Sequence, residues 1–299
     1  MEILYKKVFI SGTALCLTGL HIGDSKDSVN IGGADGPVIR RKDNNEPYIP
    51  GSSLKGKMRS LLQQLLGEDT FEMSTSNISQ LFGGVQSKTK NSHNEPQFPN
   101  RISRLIVRDA YLERILDNQG ELIGGSAYEL LNSKFTDMPY TEQKYENTID
   151  RKSGTTINGG GGIRNQERVP AGAKFELNFV LNVFVDPNLS EEEKAKNATT
   201  LQEQYLRTFW LGIKLLESDY LGGSGSRGYG QLALNISVVG EKTRDDFEKD
   251  AEDLLKIDNQ LASNLEQDTE NSLPTDEKML HNSEQDAEIS SNEKSIANA

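Results

Sequence analysis

Three features of the sequence predict an α+β fold built on an antiparallel sheet. Residues 173–185 alternate, with Phe175, Leu177, Phe179, Leu181 and Val183 set against mostly polar neighbours, as in a strand with one buried face. Two amphipathic helices, over about 53–66 and 190–217, each stand between segments of strand character. The resulting order is strand, helix, strand, insertion, strand, helix, strand. That order puts the helices on one face of the sheet, and ferredoxin-like (RRM-like) topology is the commonest form of such an arrangement.

The first strand covers residues 5–18, with Val8 and Ile10 followed by Leu15 and Leu17, and Gly12 as a bulge between the two phases. Residues 19–50 are rich in Gly, Asp and Asn and too long for a plain connection, which predicts a functional loop. The first helix opens at Pro50-Gly51-Ser52-Ser53, with Ser52 or Ser53 as N-cap and Leu54, Met58, Leu61, Leu62 and Leu65 as its apolar stripe. Arg104 to Leu112 reads as the second strand, with Leu105, Val107, Asp109 and Tyr111 on one face. Asp109 in that phase is either a strand-end polar group or part of a site. One further strand beside the second is expected inside an insertion. Residues 117–168 form a second long insertion, read as a projecting hairpin or thumb with a tip at Gly159-Gly160-Gly161-Gly162. The second helix has Ser190 as N-cap, Glu191, Glu192 and Glu193 in its first turn, and Leu201, Tyr205 and Phe209 on one stripe. Leu232, Leu234, Ile236 and Val238 mark the last strand.

Charge separates the chain into two parts. The formal net charge is −12, yet residues 241–299 alone carry 6 Lys/Arg against 17 Asp/Glu. Residues 1–240 are therefore close to neutral and form the predicted folded domain; 241–299 form an acidic tail, with a marginal helix over 244–265 and disorder beyond. The one cysteine excludes an intrachain disulfide and fits a reducing cytoplasm. No run of 18 apolar residues is present, so nothing is expected to span a membrane. The three histidines, His21, His93 and His281, are scattered, which leaves no metal-ligand set of strong spacing and no Ser-His-Asp signature.

Two stretches carry the functional reading. At the first helix entry, Ser52, Ser53, Lys55 and Arg59 combine hydroxyls and two cations with free helix N–H groups, a phosphate site; the same residues also read as a capped surface helix with solvated cations. Far downstream, Gly222, Gly223, Ser224, Gly225, Ser226 and Arg227 form a glycine-rich loop whose amides can approach a polyanion. It lacks the ending of a P-loop and the strand-to-helix order of a dinucleotide fingerprint, and a tight helix-to-strand turn is its plain alternative. Asp35, flanked by Gly33 and Gly36 and followed by Pro37, presents one carboxylate on a loop, or makes an Asx turn. His21 reads as a ligand contact or as a buried hydrogen-bonding histidine, and Arg40 and Arg41 as phosphate contacts. Arg164 and Arg168 read as phosphate contacts or as a solvated face. Asp109, Glu146 and Asp150 are further candidates for metal or salt-bridge roles.

Five ordered segments, PYIPGSSLKGKMRS, GLHIGDSKDSVNIGGADGPVIR, ENTIDRKSGT, QERVPAGAKFELNF and YLGGSGSRGYGQL, resemble the backbone subunits of type III-A CRISPR (Csm) effector complexes, which belong to the RAMP superfamily of RNA-binding proteins. The likeness runs with gaps from about Tyr5 to about Val239 and leaves the acidic tail uncovered. It implies a subunit that polymerises along a CRISPR RNA beside other Csm subunits. The phosphate stretches would grip the guide backbone, with His21 and Arg40 near them, and the insertion would wedge between stretches of guide–target duplex. It implies that Asp35 is needed to cut target RNA at regular intervals, with Mg²⁺ or another divalent cation held there. The rival readings are a non-catalytic scaffold of the same fold, a guide-processing RAMP endoribonuclease dependent on His21, and a metabolic nucleotide binder.

Overall fold

A computed structural model describes residues 2–24, 36–67, 77–84, 102–156 and 162–257. In chain order the elements are β1 (Ile3–Cys16), β2 (Tyr48–Ile49), α1 (Gly51–Leu66), α2 (Asn77–Phe82), β3 (Leu105–Val107), β4 (Ala110–Tyr111), β5 (Ile115–Leu116), β6 (Leu122–Gly124), α3 (Gly125–Leu131), β7 (Glu142–Asn147), β8 (Ile163–Arg168), β9 (Lys174–Val185), α4 (Glu191–Glu217) and β10 (Leu232–Thr243). The strands β10, β1, β9 and β3 lie in that order in one sheet, and every neighbouring pair is antiparallel. The mixed class with an antiparallel sheet is the one the sequence predicts.

One hydrophobic core joins the helices to this sheet. Leu54, Met58 and Leu62 of α1, Ile78 and Leu81 of α2, and Tyr205, Phe209 and Ile213 of α4 pack with Val8, Ile10, Ala14 and Cys16 of β1 and with Phe175, Leu177, Phe179 and Leu181 of β9. Phe179 and Phe209 meet edge to face with ring centroids 5.1 Å apart, a favoured aromatic geometry. The start of α4 is fixed locally: Ser190 Oγ accepts from the Glu193 amide and the Glu193 carboxylate accepts from the Ser190 amide, a complete capping box.

Several expectations are corrected. β1 keeps one phase, Val8, Ile10, Ala14 and Cys16 all being buried, and Leu17 falls outside the strand with 46% of its surface exposed. Gly12 marks no bulge. It is paired with Ile236, and a Cβ there would stand 2.0 Å from the Asn235 carbonyl oxygen, so glycine is required by the close approach of β10. The register shifts fall at Leu4/Lys6 and Phe9/Ile10 instead. The segment from Arg104 to Leu112 does run beside β9, from Leu105↔Leu181 to a bridge between Leu112 and Phe175, but one extra residue near Arg108 and Asp109 divides it into β3 and β4 and reverses its phase, and β4 also pairs with β2. No strand need be sought beside β3 in an insertion: β3 pairs directly with β9 at Leu105↔Leu181. The 117–168 insertion is not one hairpin; it includes β6, α3 and the β7–β8 hairpin, whose register runs from Glu142↔Arg168 to Asn147↔Ile163.

The chain divides into two compact units, Met1–Arg244 and Asp245–Ala299. β10 continues past Gly240 to Thr243. A helix spans 244–257, and the disorder expected of the tail beyond it lies outside the described residues.

Candidate nucleic-acid interface

After β1 the chain pairs Leu20 with Val169 and buries His21 behind β8. His21 Nδ1 lies 2.7 Å from the Glu167 carbonyl oxygen, which can only accept, so Nδ1 carries the proton. Nε2 then accepts from the Gln166 side-chain amide at 2.9 Å. Both ring nitrogens are thus used within the fold, in a tautomer assigned from the hydrogen-bond network.

The glycine-rich loop closes over this histidine. The Gly223 amide donates to the His21 carbonyl at 2.8 Å. Gly222 has φ of 81°, and a Cβ on it would stand 2.2 Å from the His21 carbonyl oxygen. Glycine is therefore demanded here by the chain's own backbone, before any ligand is considered. Beyond Ser224, whose φ is 61°, a single tight turn over Gly225–Arg227 leaves Ser226 and Arg227 exposed. Arg227 Nε reaches Glu146 Oε2 on β7 at 3.2 Å, and the Tyr229 hydroxyl donates to Glu146 Oε1 at 2.9 Å. Lys144 and Arg168 lie over the Tyr229 ring, 4.5 and 5.1 Å from its centroid. Burial, with the Glu146 hydrogen bond, pushes the Tyr229 hydroxyl up to about 12. Burial also opposes ionisation of Glu146, yet the Tyr229 hydroxyl and the charges of Arg227 and Lys144 hold its carboxyl below the ordinary value.

The two stretches that read as phosphate sites, far apart in sequence, are neighbours in space. Lys57 of α1 lies 3.4 Å from the Asp219 carboxylate and 3.8 Å from the Tyr220 ring centroid, immediately before the loop. The α1 entry differs from the expected form. Pro50 holds the N-cap position and Ser52 and Ser53 lie inside the helix, where neither side chain caps it. The capping oxygen comes from Asp109, whose Oδ1 accepts from the Gly51 amide at 2.8 Å. Lys55 is half-buried: Nζ donates to Ser103 Oγ at 2.6 Å and to the Leu105 carbonyl at 2.9 Å, two of its three donors being used among the described residues. Burial, and then the charge of Arg59, lower its pKa; burial lowers that of Arg59 as well.

Arg40 turns inward. Its Nη2 lies 2.6 Å from Glu167 Oε1 and its Nη1 donates to the Asn45 carbonyl at 2.7 Å. Glu167, 3% exposed, also accepts from Thr141 Oγ1 at 2.7 Å and from the Val38 amide at 2.8 Å. Asp35 lies outside the described residues. Gly36, next to it in sequence, bridges to Gln166, and its carbonyl accepts from the Glu167 amide at 3.3 Å. Of the remaining candidates, Arg164 is exposed, Arg168 pairs with Glu142 at 2.6 Å, and Asp150 accepts from the Lys152 and Ser153 amides of its own turn. Sequence reasoning passed over Tyr48, Tyr111 and Glu46. Simple alternation puts Tyr111 on the face of Leu105, and the one-residue shift between β3 and β4 turns it outward.

Residues 13–233 match the family model of the RAMP superfamily. The chain belongs to that superfamily. It is 40% identical over 235 residues to a protein named CRISPR system Cms endoribonuclease Csm3 from Methanocaldococcus jannaschii, covering 76% of this chain and 77% of that protein. A protein of the same name from Methanothermobacter thermautotrophicus is 34% identical over 270 residues, covering 83% of this chain and 96% of that one. A crystal structure of the Csm3–Csm4 subcomplex of the type III-A CRISPR–Cas interference complex aligns at 26% identity with a TM-score of 0.42, over 82% of this chain and 84% of that chain. The family match and the identities of 34–40% to proteins named Csm3 bear out the likeness to the Csm backbone subunit inferred from the five motifs.

In this RAMP chain the described carboxylates form no closed cage, since no three His, Cys, Asp or Glu side chains among the described residues come together. Glu46, Glu146 and Glu167 are occupied by arginine, tyrosine or threonine partners.

Proposed function

We propose that this chain is the guide-binding backbone subunit of a type III-A effector complex and that it cuts guide-bound target RNA at regular intervals. The observation that carries the reading is the convergence of its motifs: the α1 entry and the glycine-rich loop, apart in sequence, are joined through Lys57, Asp219 and Tyr220, and the loop sits on His21 beside Gly36. Names carried by relatives at 34–40% identity supply the endoribonuclease activity. The element order and the strand order β10-β1-β9-β3 support a ferredoxin-like core. Backbone gripping by Ser52, Ser53, Lys55, Arg59 and residues 222–227 is independent of sequence, as a scaffold for varied guides requires. The β7–β8 hairpin, with Tyr145, Ile149 and Ile163 at least 60% exposed, serves as the thumb that interrupts stacking in the guide–target duplex.

Asp35 would hold the divalent cation, which would supply stabilisation of charge on the leaving 5′-oxygen. Cleavage forms a bond from the 2′-oxygen to phosphorus and breaks that from phosphorus to the 5′-oxygen; the 2′-hydroxyl gives up its proton and the leaving oxygen gains one. The products are a 2′,3′-cyclic phosphate and a 5′-hydroxyl. His21, with both nitrogens engaged, suits positioning of the loop better than proton transfer, which weighs against histidine-dependent guide processing. The test is Asp35→Ala in an assembled complex with a complementary labelled RNA. Regular products disappear while guide binding and assembly persist, and chelation of the wild-type complex has the same effect until Mg²⁺ is restored. Persistent regular products would remove Asp35 from the chemistry.

A further inference from the structure

Beside the α1 entry the short β2–β4 ribbon has two unlike faces. Ile49, Ala110 and Leu112 are buried in the core on one side. On the other, Tyr48 and Tyr111 are directly opposed across the strands, with ring centroids 6.0 Å apart and 39° between the planes. Tyr111 stays 39% exposed. The Arg41 guanidinium lies 4.5 Å from its ring centroid, held there by Asp43. Arg41 in turn is fixed by the Glu46 backbone, since its amide donates to the Glu46 carbonyl at 2.8 Å, and the buried Glu46 carboxylate is paired with Arg114. Two residues after Tyr48 the chain enters α1, so this aromatic and cationic surface adjoins the proposed phosphate grip.

We propose that Tyr111, with Arg41 laid on it and Tyr48 at its side, is a stacking subsite for one RNA base next to the phosphates held at the α1 entry. The proposal rests on the RNA-binding reading and adds a base contact to it. Exposed aromatic faces and guanidinium planes are the groups on which unstacked bases rest, and they accept any base because every base has a π-face. A guide-binding surface that must tolerate all sequences can use stacking where hydrogen-bond readout would discriminate. The preformed Arg41–Tyr111 pair also lowers the ordering cost of binding.

The test uses the full-length protein and guide-length RNAs carrying 2-aminopurine at one position at a time. Wild type quenches the probe at a particular position. Tyr111→Ala and Tyr111→Leu abolish that quenching and weaken binding by about 5- to 100-fold, the range for loss of one stacked base, whereas Tyr111→Phe keeps both within about twofold. The dependence of affinity on salt is unchanged, because stacking releases no counterions; Lys55→Ala with Arg59→Ala instead lowers the salt slope. Wild-type affinity and quenching in Tyr111→Ala overturn the subsite while leaving RNA binding intact. A lowered salt slope, or a change in oligomeric size with RNA affinity unaltered, overturns it in favour of a phosphate contact or a contact between copies. Absence of RNA binding by wild type overturns the parent reading and the subsite with it.

Discussion

Arg40 shows how one side chain can look like a ligand contact and act as structure. Its charge sits against a carboxylate that is nearly inaccessible, and that carboxylate also takes the Thr141 hydroxyl and the Val38 amide. Removing the guanidinium would leave Glu167 buried without its counter-charge, which costs more than the pair itself contributes. Arg40→Ala is expected to lower unfolding stability by about 3–5 kcal/mol, measured by denaturant titration, and to leave the salt slope of RNA binding where it was. A reduced slope with unchanged stability would make Arg40 a phosphate ligand after all. The sequence could not reveal this role. Arg40 follows a polar loop beside Arg41, and its partner lies 127 positions away. His21 is similar: both of its partners come from β8, so its histidine chemistry was open to either reading until the hairpin was placed.

At the scale of elements, what was legible depended on how local the determinant is. The α4 cap is complete within four residues, so the sequence shows Ser190 as its N-cap, and the structure adds the reciprocal bond from Glu193, one of the first-turn acids. The α1 cap comes from Asp109, 58 positions beyond Gly51, whereas the local sequence points to the nearby serines. Likewise the alternation of β9 is its own signal, whereas the one-residue shift between β3 and β4 shows only in their pairing along β9. The β7–β8 hairpin is latched to the glycine-rich loop by the Tyr229 hydroxyl and Arg227 on Glu146. Tyr229→Phe removes a hydrogen bond to a charged group, worth about 1.5–3 kcal/mol. Faster amide exchange over β7 and β8 is expected, with α1 and α4 unaffected; uniform acceleration would mean that the hairpin has no separate latch. The pH dependence follows in both directions. The depressed Glu146 value contributes stability above the ordinary glutamate range that is lost as pH falls through its folded value. The raised Tyr229 value contributes stability that is complete below its ordinary value of 10.0 and is lost as pH rises towards about 12.

For the whole molecule the decisive quantity is where the charge lies. Residues 1–244 hold 29 Lys/Arg and 29 Asp/Glu, whereas 245–299 hold 4 and 16, so all of the net −12 belongs to the second unit. On the proposed RNA-binding reading, an acidic segment tethered to the domain disfavours a polyanion over distances set by ionic strength, with a screening length of about 8 Å at 0.15 M. Removing it should therefore raise RNA affinity several-fold at low salt, with the gain vanishing as salt is raised. The cut must follow Arg244. A cut at Gly240 would strip β10 of Glu241, Lys242 and Thr243, which pair with Val8, Lys7 and Lys6, and would take Glu241 from the Lys6 ammonium 3.1 Å away. Thermal unfolding of the 1–244 protein should match that of the full chain, while the 1–240 protein should unfold earlier. RNA titrations of the full chain and of 1–244 across a salt series decide the matter. Equal affinities at every salt concentration would show that the acidic unit does not act on the interface through charge, and weaker binding by 1–244 would make that unit part of the RNA grip.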